Sequence, residues 1–143
     1  MPVAVKRVYE SRSRSDGARV LVDRLWPRGL RKADIAVHEW LRDLAPSNEL
    51  RKWFHAHPEQ WALFRKRYLK ELAAPEAEKD LQELYRLAHK RSRLTLLYAS
   101  KNETNNNAIV LRDLIEGMRK PPTGTGPARL RSTRTRNAAA RRR

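Results

Sequence analysis

Two short runs, Arg19-Val20-Leu21-Val22-Asp23 and Leu94-Thr95-Leu96-Leu97-Tyr98-Ala99, are apolar at almost every position and lack the alternation of a strand with one wet face. Strands of this kind sit inside a sheet covered on both sides, the arrangement of parallel α/β sheets. A third run, Val3-Ala4-Val5-Lys6-Arg7-Val8-Tyr9, is rich in β-branched residues and leads into a polar stretch whose Ser15-Asp16-Gly17 marks a turn. About nine residues then separate the first strand from the second, fewer than a helical crossover needs, so the sequence leaves their relative direction open.

Most of the remainder reads as helix. Residues 35–44 carry Trp40, Leu41 and Leu44 as an apolar face and stop at Ala45-Pro46, where proline biases its predecessor away from helix. Ser47 is placed to cap a short helix running to about Phe54, Pro58 to open a second with Trp61, Phe64, Tyr68, Leu69 and Leu72, and Pro75 to open a third with Leu81, Leu84, Tyr85 and Ala88. A loop over 100–106 precedes a last helix over 107–118. The expected fold is a small three-layer-like α/β domain over residues 1–118, with about three mainly parallel strands flanked by helices.

A chain of 143 residues has room for one such domain, and four Trp and four Tyr beside Leu and Val give it a core without staples. Cysteine is absent, which removes disulfides, thiolate nucleophiles and Cys-based zinc sites and fits a reducing compartment. No apolar stretch reaches the length of a signal peptide core or a membrane span, so the expected location is the cytoplasm, with no membrane contact. The formal net charge is +16, but nine of those positive charges fall within residues 119–143, where no acid stands, leaving +7 on residues 1–118. That stretch is Pro, Thr, Gly, Arg and Ala with almost no large apolar side chain, so a disordered basic tail is expected. Its Arg129, Arg131, Arg134, Arg136, Arg141, Arg142 and Arg143 favour nonspecific, salt-sensitive contact with nucleic acid.

Two loops follow core strands, where open α/β sheets place their ligands. In the first, Asp23-Arg24-Leu25-Trp26-Pro27-Arg28-Gly29, Asp23 is a candidate general base, Arg24 and Arg28 can fork onto phosphate or carboxylate, and Trp26 offers a flat wall. The bland alternative gives Asp23 to a structural ion pair and Trp26 to the core. In the second, Lys101, Asn102, Thr104, Asn105, Asn106 and Asn107 run into a helix start whose N–H groups and dipole favour an anion. The bland alternative there is that Thr104 or Asn105 simply caps the helix. His55 is a candidate acid/base, with Arg51 and Lys52 beside the pocket mouth. His55 and His57 stand two apart at a helix end without a carboxylate cluster, so no metal site is expected.

The strings Arg19-Val20-Leu21-Val22-Asp23-Arg24-Leu25-Trp26-Pro27-Arg28-Gly29, Trp40-Leu41, Leu44-Ala45-Pro46-Ser47, Leu50-Arg51-Lys52-Trp53-Phe54-His55 and Leu96-Leu97-Tyr98-Ala99-Ser100-Lys101 together resemble the YeaO-like branch of domain-of-unknown-function family 488. The resemblance covers residues 3 to about 118 and implies no particular reaction. Longer members carry a Cys-His pair near the start of the last helix; this chain has Asn106-Asn107, so a thiol mechanism does not transfer. Some members bear the name uroporphyrin-III methyltransferase, but five scattered glycines supply no glycine-rich cofactor loop, and no cofactor is implied.

The sequence thus points to a pocket for a small phosphorylated or carboxylated, nucleotide-like ligand, and leaves open whether chemistry follows. Its alternative is a nucleic-acid-associated protein whose basic surface and tail follow phosphates while Trp26 or Trp53 stacks on a base.

Overall fold

Four strands form one wholly parallel sheet in the computed structural model, which describes residues 3–90 and 93–122. The strands β1 (Val3–Arg7), β2 (Ala18–Leu21), β3 (Glu39–Trp40) and β4 (Leu94–Tyr98) lie side by side in the order β1-β4-β2-β3. The two unalternated runs are the two inner strands. Leu96 faces Val5 across one ladder and Val20 across the other, so β4 has no free edge.

Successive residues of these strands enter different layers, as the pleat requires. Val20, Val22, Leu94 and Leu96 join the large core under α2 (Asn48–Ala56), α3 (Trp61–Leu72), α4 (Pro75–Lys90) and α5 (Asn107–Gly117). Leu21 and Leu97 point to the opposite face and join Val8, Ile35 and the half-buried Trp26, Leu30 and Trp40. That second layer is irregular chain plus the four-residue helix α1 (Lys32–Ile35). No helix among the described residues is long and apolar enough to cross a membrane.

The direction left open by the sequence is parallel, with β4 inserted between β1 and β2. The return from β1 to β2 needs no α-helix; a single 3₁₀ turn over Arg14–Asp16 makes it. Its end is tightly constructed. Gly17 has φ 66°, and a Cβ there would collide with the Arg93 carbonyl oxygen. The carboxylate of buried Asp16 accepts from Arg19 Nη1 at 2.5 Å, Lys6 Nζ at 3.1 Å and the Ser13 N–H at 3.0 Å. Buried Arg19 also donates from Nε and Nη2 to the Ile35 carbonyl, at 3.1 and 2.9 Å. Burial alone would raise the Asp16 pKa, but these donors outweigh it and hold the carboxyl below its ordinary range.

The helix expected over 35–44 does not form. Helix α1 ends at Ile35, Ala36 turns left-handed at φ 47°, and Glu39–Trp40 pair with Val20 and Leu21 as β3, followed by a 3₁₀ turn over Arg42–Leu44. The open edge of β2 offers that segment ladder hydrogen bonds, and Trp40 Nε1 donates to the Asp23 carbonyl at 2.7 Å. Among the described residues the strand count is therefore four rather than about three. Ser47 caps α2 as expected: its Oγ accepts from the Leu50 N–H at 3.1 Å and donates to Glu71 at 2.6 Å. Pro58 falls in the turn before α3, which begins at Trp61. The expected tail lies, from residue 123 onward, outside the described residues.

Candidate functional site

Because the strands are parallel, β1, β2 and β4 deliver their C-terminal ends to one side of the sheet. Asp23 stands two residues beyond β2 and joins three segments there. Its Oδ2 accepts the Ala99 N–H at 2.9 Å, tying β2's exit to β4's. Its Oδ1 accepts from Asn107 Nδ2 at 3.2 Å, and the same amide donates to the Val22 carbonyl at 3.0 Å. Burial pushes the Asp23 carboxyl upward; the Ala99 N–H, the Asn107 amide and the positive Arg51 pull it back only in part, so it stays raised.

The 102–107 loop is shaped by asparagine. Asn102 Oδ1 accepts the N–H groups of Thr104 and Asn105 at 3.1 and 2.9 Å, and its carbonyl accepts Asn106 Nδ2 at 2.9 Å. The helix cap is Asn106, whose Oδ1 accepts the Ile109 N–H at 3.1 Å, rather than Thr104 or Asn105.

A cleft of about 480 Å³ opens at this edge of the sheet, lined by Asp23, Arg24, Trp26, Arg28, His55, Asn102, Asn105, Asn106 and Asn107. Small-molecule sites run roughly 300–1,000 Å³, so the size is ordinary for one. Arg28 and His55 are exposed at the rim, while Asp23 is half-buried at the inner end. Arg24 Nη2 donates to the Ala45 carbonyl at 3.2 Å; its Nε is buried with no hydrogen-bond partner among the described residues. Trp26 is held by Nε1 donation to the Leu30 carbonyl at 2.6 Å and by an edge contact with Trp40 at 5.4 Å between centroids. The Arg28 backbone is fixed by the Tyr9 hydroxyl, which donates to its carbonyl at 2.9 Å, leaving the guanidinium at the rim.

Four residues considered from the sequence, Lys52, Trp53, Lys101 and Thr104, lie outside this lining. Lys101, Thr104 and Lys52 are exposed, while Arg51 does line the cleft. Trp53 packs elsewhere, between His57 at 5.4 Å and the Arg67 guanidinium at 4.4 Å. Among the described residues no cluster of His, Cys, Asp or Glu is built to hold a metal ion. The sequence reading missed Tyr9, Phe54, Phe64 and Ser100. Tyr9 would have been flagged only with β1 known to run parallel to the inner strands, a direction the sequence leaves open; Phe64 had no signal, being indistinguishable from any core position of α3.

Compared with known proteins, residues 2–127 match the family model described as "Inactive DUF488-N3 subclade". The chain is 49% identical over 120 residues to the Escherichia coli (strain K12) "Uncharacterized protein YeaO", covering 82% of this chain and 100% of that one. It is 44% identical over 115 residues to the "Uncharacterized protein Rv3073c" of Mycobacterium tuberculosis (strain ATCC 25618 / H37Rv), covering 80% and 94%. No solved structure matches significantly.

Proposed function

The chain belongs to the family described as the inactive DUF488-N3 subclade, and from that premise we propose that the cleft binds a small phosphorylated or carboxylated molecule. The observation that carries this reading is the convergence of the 23–28 and 102–107 loops, separate in sequence, on one cleft at the strands' C-terminal ends. Arg24, Arg28 and Arg51 give its lining three positive charges against the single carboxylate of Asp23. Guanidinium groups suit phosphate and carboxylate because their N–H donors form a planar fork.

Binding without turnover is the form of this proposal that the family's description favours. Local geometry agrees with it. Asn106 and Asn107, where longer relatives carry Cys and His, are engaged in capping α5 and clamping Asp23. The test is a thermal-shift panel of nucleotides, sugar phosphates and small carboxylates on the full chain, with Arg28→Ala beside it. A true ligand raises the melting temperature of the parent and not of the variant; at a hundredfold excess over Kd the gain is about 2.7 kcal/mol. Silence across the panel would discard the reading.

A second reading rests on charge alone. The seven arginines between residues 129 and 143, unopposed by any acid, suit a nucleic-acid backbone.

A further inference from the structure

A bare anion does not complement the whole of this cleft. Its inner end presents the Asp23 carboxylate, fixed in place by the Ala99 N–H and the Asn107 amide, and each of its oxygens has a lone pair left to accept a further donor. The guanidinium of Arg28 lies at the exposed rim instead. The lining also includes the apolar and largely buried Pro27, Ala45, Pro46, Phe54 and Phe64. A phosphate pushed to the inner end would meet the Asp23 carboxylate as well as the positive Arg51. The same phosphate at the rim would leave an acceptor and the apolar lining unfilled.

We infer that the ligand is bipolar: an anionic group held at Arg28, a flat apolar body against the apolar lining, and an amino group donating to Asp23. An aminated nucleoside monophosphate is the simplest molecule of that class. The inference rests on the cleft being the anion site proposed above, and it makes Asp23 the residue that selects the ligand rather than a base.

The test titrates the full chain by calorimetry with three probes: adenosine 5′-monophosphate, purine riboside 5′-monophosphate, which lacks only the amino group, and ribose 5-phosphate, which lacks the base. The amino nucleotide should bind at least about tenfold tighter than its amine-free twin, the size of one hydrogen bond to a charged acceptor. Asp23→Asn should erase most of that preference, while Arg28→Ala should weaken both nucleotides alike. The comparison of the two nucleotides on the parent chain needs no variant, so a poorly folded Asp23→Asn does not spoil it. Equal affinity for the two nucleotides, each weakened by Arg28→Ala, would overturn the amine contact and leave the anion site standing. Ribose 5-phosphate binding as tightly as the amino nucleotide, or no binding of the amino nucleotide, would overturn it too. If the wider panel of phosphates and carboxylates is also silent, the anion site fails together with it.

Discussion

Asp16 and Asp23 lie beyond opposite ends of β2, and their surroundings push them in opposite directions. Asp16 is held below its ordinary range, so it stabilises the fold above the unfolded-state value and that contribution is lost as pH falls through the folded one. Asp16→Asn leaves Arg19, 4% exposed, without its carboxylate. Breaking a buried pair in this way costs about 3–5 kcal/mol, which urea unfolding at neutral pH should show. Asp23 is raised above its ordinary value of 3.8, so its contribution is fully present below that value and is lost as pH climbs through the folded one. The melting temperature of Asp23→Asn minus that of the parent should therefore grow as pH rises above the ordinary carboxylate value of 3.8; a flat difference would refute the burial argument. Asp23 was readable as a site residue because it ends an apolar run. Its partner Asn107 was readable only as part of a helix start, because nothing local links the two.

At the scale of elements, helices that open on proline or serine and carry long apolar stripes were legible, since capping and periodicity act within a few residues. Residues 35–44 were not. Trp40, Leu41 and Leu44 have the spacing of a helix face, yet Leu41 and Leu44 are buried at the start and end of a 3₁₀ turn and Trp40 is half-buried in a strand that pairs with the open edge of β2. The 8–17 crossover carries a second element-scale constraint at Gly17. A methyl group there meets the Arg93 backbone, and the left-handed φ already disfavours any side chain. Gly17→Ala should cost at least about 2 kcal/mol in urea unfolding, whereas at Gly29, with φ 84° and open space around it, only the backbone penalty of about 1–2 kcal/mol remains.

For the whole molecule, the charge divides between a moderately basic domain and the arginines that follow it. A chain ending at residue 127, where the family match stops, should melt as the parent does and lose much of any affinity for nucleic acid. The slope of log affinity against log salt should fall by up to about 6 if all seven arginines reach phosphates, and an unchanged slope would exclude the tail as the contact. Fold class, the two inner strands, the helices opened by serine or proline and the two strand-end loops are legible in the sequence, because each is written in contacts a few residues apart. Strand order, the parallel crossover, the edge strand at Glu39–Trp40 and the clamp between Asp23 and Asn107, 84 residues apart, were decided only by the tertiary structure. Such long-range pairings gain their energy only once the sheet has assembled and closed the loops between them.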